Sequence, residues 1–253
     1  MNQYIRFAEV YDLMGADKHS IKMTKYCLDI FDKFNISPVT GLDICCGTGT
    51  AIMKFSEMGI KMSGLDKSPY MLAVAAKKLK GKKIKLYQKS LPKFKILQTK
   101  NSKKTEQFDL ITSFFDSLNY LLAERELKTA FKSVYQHLVP GGWFIFDMNT
   151  PEALKYLWDG NVYADTKSDI AWIWKNEYIP KEKTAYCYAT FFIKKGKGYE
   201  RHFELHKEKG YANGTIKKML RETGFQIKGY YRCHTFDKVD RDTNRFCAVV
   251  RKN

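Results

Sequence analysis

Gly41-Leu42-Asp43-Ile44-Cys45-Cys46-Gly47-Thr48-Gly49-Thr50 is the segment in which residue type and spacing say most about chemistry. A short apolar run carries an acid, passes through two glycines and enters a helix-forming stretch. Gly47 and Gly49 have no Cβ and let backbone approach a ligand closely. The helix that follows offers N–H groups that its own first turn cannot use. A second acid, Asp66, ends the next apolar run 23 residues beyond Asp43, about where a ribose-binding carboxylate belongs in a dinucleotide fold. A nicotinamide dinucleotide does not fit, because its turn needs G-x-G-x-x-G. Counted from Gly47, the third glycine falls on Ile52; counted from Cys45, the positions read Cys45, Gly47 and Thr50.

His202, Glu204 and His206 alternate and so share one face of a strand. Such spacing can converge on a metal, but zinc usually takes four ligands and no further cluster accompanies these three. No metal is expected; a polar inner face is. Trp172 and Trp174 share another strand face, as a pocket wall or as packing against a neighbouring layer. Arg245, near the last strand, is a further pocket candidate. From Lys77 to Lys104 there are twelve lysines and no acid, within a chain of 44 Lys and Arg against 27 Asp and Glu, net +17. Such a field draws phosphates, nucleotides or nucleic acid. Only Tyr87 and Phe94 interleave the run, where single-strand binding asks for stacking aromatics. A solvated face is the default, and nucleic acid is possible but not favoured.

These groups need elements to position them. Strand-length apolar runs lie at Leu42–Cys46, Ile60–Leu65, Ile84–Tyr87, Phe108–Phe115 and Trp143–Met148. Leu127, Ala130, Phe131, Val134, Tyr135 and Leu138 make one helical face, and Pro140-Gly141-Gly142 is expected to end that helix. Ser20 to Phe34 reads as a helix capping the sheet. Strand–helix–strand repetition predicts parallel βαβ units in a doubly wound sheet. Residues 161 to 209 instead alternate with period two, with Pro180-Lys181-Glu182-Lys183 and Lys195-Gly196-Lys197-Gly198 as hairpin connections. Asn213 can cap a helix through Thr223, Gly224 can end it, and Phe225–Tyr231 and Phe246–Val250 read as closing strands.

The length, 253 residues, allows one large domain or one domain with an insertion. No run approaches the roughly 20 apolar residues of a membrane span. Met1–Arg6 lacks the pattern of a secretory leader. Six cysteines, none spaced C-x-x-C, suit a reducing cytoplasm.

The segment Leu42 to Thr50 resembles the first motif of the class I S-adenosylmethionine (SAM) dependent methyltransferases. Gly64 to Leu72 resembles their second motif. Phe108 to Leu121 and Leu138 to Thr150 are similar to the fourth strand and the approach to the fifth. Phe7 to Asp12 and the alternating insertion are similar to a small-molecule branch that includes sugar-amine N-methyltransferases. The resemblance implies that Asp43 holds water or the amino group of the methionine part and that the Cys45–Cys46–Gly47–Gly49 backbone passes beneath it. It implies that Asp66 takes both ribose hydroxyls, that Lys67 and Met71 flank the adenine, and that Phe114 lies near the methionyl moiety. Cys45 stands where the family usually has glycine. The family's acid after strand three is replaced by Tyr87-Gln88-Lys89-Ser90, so Gln88, Lys89 or Ser90 would border the adenine. Tyr11 matches a tyrosine beside the methyl group, and Tyr120 a position facing the acceptor; both are expected to orient the nucleophile. Asn119, Trp172, Glu204, His206 and Arg245 are the acceptor-side candidates, with helix capping the alternative for Asn119 and Asp116.

The expected fold is α/β, a doubly wound, mainly parallel seven-stranded Rossmann-like sheet with a small antiparallel β cap after strand five. Residues 1–150 and 211–253 would form the SAM-binding domain and 151–210 the cap. The expected function is SAM-dependent methyl transfer to nitrogen, or less favoured oxygen, of a small polar metabolite, phosphorylated or nucleotide-linked to suit the charge. The chain would act as a monomer or homodimer. An RNA methyltransferase using the lysine face, or a non-catalytic SAM- or RNA-binding protein, is the alternative.

Overall fold

The computed structural model describes Tyr4, residues 6–99 and residues 101–253; residues 1–3 and 5, read above for a leader, and Lys100 of the lysine run lie outside the described residues. Five apolar runs become β1 (Thr40–Ile44), β2 (Lys61–Asp66), β3 (Lys85–Gln88), β4 (Phe108–Ser113) and β5 (Leu138–Asn149). They are parallel neighbours in the order β3-β2-β1-β4-β5. β1 and β4 are buried on both faces, which is why they read as mainly apolar runs without the strict alternation of a half-exposed strand.

A second, antiparallel sheet follows: β6 (Val162–Lys167), β7 (Ile170–Ile179), β8 (Thr184–Lys195) and β9 (Gly198–Lys209), paired in that order. The chain then returns to the first sheet as β10 (Phe225–Arg232) and β11 (Arg245–Lys252). β11 lies antiparallel beside β5, and β10 lies beyond it.

A short α1 (Phe7–Val10) opens the described chain. Then α2 (Lys18–Phe34), α3 (Thr50–Glu57) and α4 (Pro69–Lys78) cover one face of the seven-stranded sheet through Met23, Ile30, Ile52, Phe55 and Ala75. On the other face lie α5 (Glu124–Gln136) and, after α6 (Pro151–Ala153), α7 (Asn213–Thr223), packing Leu127, Phe131, Val134, Ile216 and Leu220 on Leu42, Phe144 and Phe246. Each fully buried side chain of this kind contributes about 1.5–3 kcal/mol. A third cluster, Phe7, Val10, Ile170, Trp172 and Phe191, ties α1 to the second sheet. The doubly wound sheet and the added antiparallel sheet are those expected, with two local corrections.

Pro140-Gly141-Gly142 does not end α5. The helix stops at Gln136, and His137 holds that end, with Nδ1 2.7 Å from Ser133 O and Nε2 accepting from Ile96 N at 3.0 Å. The three residues instead bulge inside β5, where Phe108 pairs with Leu138 but Leu110 with Trp143. Gly141 has φ +78, and a Cβ on Gly142 would stand 2.9 Å from Val139 O, so glycine is required by the bulge. Asn213 is the first helical residue of α7 rather than its cap; its Oδ1 accepts from Tyr230 OH at 2.8 Å, which leaves Ala212 in the cap position.

Candidate active site

Strand order reverses at β1, between β2 and β4, and in open α/β sheets ligands bind outside the strand carboxyl ends at such a point. A cavity of about 940 Å³ opens there, walled on its far side by the second sheet. A crevice of about 40 Å³, sharing Tyr11, Cys45 and Gly47 with it, continues past Asp43, Cys46 and Phe114.

Asp66 is the anchor of the sheet side. Its Oδ2 accepts from Gly47 N at 2.9 Å and its Oδ1 from Ser68 N at 2.8 Å. Ser68 in turn caps α4 by accepting from Met71 N at 3.2 Å. One carboxylate therefore sets both the glycine turn and the start of α4. Each of its oxygens keeps a lone pair for a further donor. Beside it, nothing stands within 4 Å of where a Cβ on Gly47 would be, so the turn presents an open cradle. Gly49 serves packing instead, with Ala75 and Leu79 against it. Asp43 is buried and accepts from Thr112 Oγ1 at 2.7 Å. Burial pushes its carboxyl up to about 7, against the pull of Thr112.

Cys45 takes φ +58, left-handed backbone that costs a side-chain-bearing residue about 1–2 kcal/mol. The departure from glycine thus shows as strain rather than as a blocked turn. Cys45→Gly is expected to raise Tm by about 1–4 °C after glycine's greater entropy loss is set against the relief. Thermal melts with and without SAM check this; a lower Tm would mean that thiol packing outweighs the strain.

The N-terminal segment is tied to this turn. Lys78 Nζ reaches Asp12 Oδ2 at 2.6 Å, Thr48 Oγ1 at 3.0 Å and Thr50 Oγ1 at 2.6 Å, and Thr48 donates to Asp12 Oδ1 at 2.7 Å. Lys78 of the basic run is therefore a mostly buried strut between Asp12 and the glycine turn, whereas Lys85, paired with Glu106 at 3.2 Å, stays on the solvated face.

Across the cavity a polar chain runs through aromatics. Tyr4 OH donates to Tyr120 OH at 3.1 Å, and Tyr120 OH lies 3.0 Å from His206 Nδ1. Tyr4 N donates to Glu204 Oε2 at 2.8 Å. The same oxygen is 3.2 Å from His206 Nε2, but misaligned, so that among the described residues this nitrogen has no hydrogen-bond partner. Burial drives the Tyr120 phenol well above its ordinary range and keeps it protonated.

Beneath lies a charge network. Asp147 accepts from Phe115 N at 2.8 Å and from Arg245 Nη1 at 2.5 Å. Burial is the largest influence and opposes its ionisation, yet the Arg245 guanidinium and His19 together outweigh it and hold the carboxyl down at about 2. Arg245 Nη2 also donates to Asp116 Oδ2 at 2.8 Å. Asn149 Nδ2 bridges Asp116 Oδ2 and Glu208 Oε2 at 2.8 and 2.9 Å. Burial, with Asp116 adding, pushes the Glu208 carboxyl well above the usual range.

Of the residues singled out in the sequence, Tyr11, Cys45, Gly47, Asp66, Lys67, Met71, Lys89, Ser90, Tyr120, Trp172, His206 and Arg245 line the main cavity. Asp43, Cys46 and Phe114 line the crevice. Gln88 is exposed on β3 and Gly49 is internal, and neither lines a wall. Asn119 is a buried clasp, with Oδ1 on Asn149 N and Nδ2 on Asn149 O and Lys209 O at 3.0, 3.1 and 2.9 Å, and it caps no helix. Glu204 acts from behind His206. Tyr4, Asp116, Asn149, Asn176 and Glu208 line the cavity and were not among the candidates. Glu208 was accessible in principle, since it continues the alternation of Glu204 and His206.

Residues 42–142 match the family model described as a methyltransferase domain. A protein of Geobacillus sp. (strain WCH70) named as a methyltransferase is 30% identical over 214 residues, 83% of each chain. A SAM-dependent methyltransferase structure from Clostridium acetobutylicum ATCC 824 superposes with a TM-score of 0.85 at 29% identity, over 100% of both chains. A dTDP-3-amino-3,4,6-trideoxy-alpha-D-glucopyranose N,N-dimethyltransferase of Streptomyces venezuelae is 31% identical over 137 residues, 53% of this chain and 54% of that one. The chain belongs to the SAM-dependent methyltransferases.

Proposed function

We propose that this enzyme methylates a nitrogen of a small polar acceptor, an amino sugar or a related amine, held between the loop after β4 and the inner face of the second sheet. The observation that carries the reading is the Tyr4–Tyr120–His206 chain opening on the same cavity as Asp66 and the Gly47 cradle. The open cradle, and the spare lone pairs of Asp66, fit the ribose and methionine parts of SAM. In this reading Asp66 takes the ribose hydroxyls, Cys45 to Gly47 run beneath the amino-acid end, and Lys67, Met71, Lys89 and Ser90 border the base. Asp43 and Phe114 flank the methionine tail from the crevice.

SAM supplies a sulfonium methyl that is already electrophilic, so the protein's task is alignment and proton handling. Tyr11 and Tyr120 orient the amine so that its lone pair faces the methyl. Tyr120 is too strongly held in its protonated form to act as a phenolate. It instead relays: its oxygen receives the amine's proton while its own passes to His206 Nδ1, leaving an imidazolium beside Glu204. Trp172, Trp174 and residues 151–210 as an acceptor-side cap exclude water. Arg245 is spent on Asp116 and Asp147, so its part is to shape the floor.

A nucleotide-linked amino sugar is the acceptor class best supported. The Streptomyces venezuelae relative is named for such a substrate, and Lys67 and Lys89 line the cavity that would receive it. Amino sugars free and nucleotide-linked, assayed by the mass of the methylated product, test the class. Tyr120→Phe and His206→Gln are each expected to lower kcat by about 10²-fold, the lower end of what proton transfer contributes, with SAM affinity unchanged. Rates near wild type in both variants would remove the relay from the reaction.

A further inference from the structure

Outside the cavity, the start of α2 and the turn after β10 bring His19, Cys233 and His234 together. One ligand-type atom of each lies within 4.8 Å of the other two, the one such group of three among the described residues. The methyl-transfer reading uses none of them.

The donor set is chemically selective. A thiolate with two imidazoles suits Zn²⁺ and its first-row neighbours, whereas Mg²⁺ and Ca²⁺ ask for oxygen. With Zn–S about 2.3 Å and Zn–N about 2.0–2.1 Å, tetrahedral donors sit about 3.3–3.8 Å apart. The three groups therefore need to draw in by about 1 Å. His234 sits in an exposed turn after the last residue of β10, its ring edge-on to His19 with centroids 5.3 Å apart. Among the described residues the Cys233 thiol's hydrogen-bond contact is with Met23 Sδ at 3.4 Å, a weak contact that a metal would replace.

The surroundings match a metal ligand's second layer. His19 Nε2 lies 3.2 Å from Asp147 Oδ2, so an ion bound with that contact kept would take Nδ1. Metal-bound histidines generally give their other ring N–H to a carboxylate, which fixes tautomer and orientation. The His19 ring is further held by stacking on Phe115, centroids 5.1 Å apart.

We propose that His19, Cys233 and His234 bind one zinc-class divalent ion, with a fourth position left to water or an incoming group. This is independent of the acceptor's identity.

Co²⁺ serves as the spectroscopic probe on the full chain stripped of metal. The expected result is uptake of one equivalent, with a thiolate-to-cobalt charge-transfer band and the intense visible absorption of tetrahedral Co²⁺, both bleached by one equivalent of Zn²⁺. Cys233→Ser is expected to abolish the charge-transfer band. His234→Asn, which suits the left-handed backbone at φ +66, is expected to weaken Co²⁺ binding at least about tenfold. Melting curves establish that both variants fold, and if Cys233→Ser does not, His234→Asn decides alone. No stoichiometric uptake by the wild type, a charge-transfer band that persists in folded Cys233→Ser, or unchanged affinity in His234→Asn would overturn the proposal.

Discussion

Asp66→Ala is expected to weaken SAM binding by about 10²–10⁴-fold. Two hydrogen bonds from ribose hydroxyls to an ionised carboxylate are worth about 1.5–3 kcal/mol each, and each 1.4 kcal/mol is about tenfold in affinity. The same carboxylate holds Gly47 N and Ser68 N, so its loss also loosens the cradle and the first turn of α4. Asp66→Asn separates the two effects. An amide oxygen can still accept from one backbone N–H, so the turn is partly kept while the charge is gone. Calorimetric titration with SAM and S-adenosylhomocysteine measures both variants against wild type. Affinity within about threefold of wild type in Asp66→Ala would place the ribose elsewhere.

Arg245→Met is expected to cost roughly 3–5 kcal/mol of stability, the usual result of removing one partner from a buried ion pair. In a domain of this size that lowers Tm by about 6–20 °C. The cost arises because Asp147, fully buried, and Asp116, nearly so, would lose their shared counter-charge. The deficit should depend on pH with a defined sign. In the folded wild type Asp147 is held at about 2, below its ordinary 3.8. Its stabilising contribution is therefore fully present above about pH 4 and is lost as pH falls through 2. The gap between Arg245→Met and wild type should narrow across that window. A gap of under about 1 kcal/mol at neutral pH in denaturant titrations would show that the pair is solvated in solution.

Much of this protein could be read before its fold. The strands are legible because β1 and β4, buried on both faces, are mainly apolar, and because the face of α5 repeats with the helical period. The cradle is legible because a strand, a glycine turn and a helix are contiguous, so Asp43, Cys45 and Gly47 are all supplied by one short segment. The second sheet is legible from its alternation, which continues past Glu204 and His206 to Glu208.

What only the tertiary structure decided involves partners far apart in the chain. Tyr4 reaches Glu204 across 200 positions, Tyr120 reaches His206 across 86, and Arg245 reaches Asp116 and Asp147 across 129 and 98. None of these pairs leaves a local signature, because a side chain's hydrogen-bond partner is set by how layers stack, not by period. The same reason explains the misplaced roles. Asn119 had the composition of a cap and became a clasp between β5 and β9. Pro140-Gly141-Gly142 had the composition of a turn and became a bulge. Sequence determines which backbone conformations and which faces are available; the packing of the two sheets against α1 determines which polar groups meet in the cavity, because only burial makes leaving such a group unpaired costly.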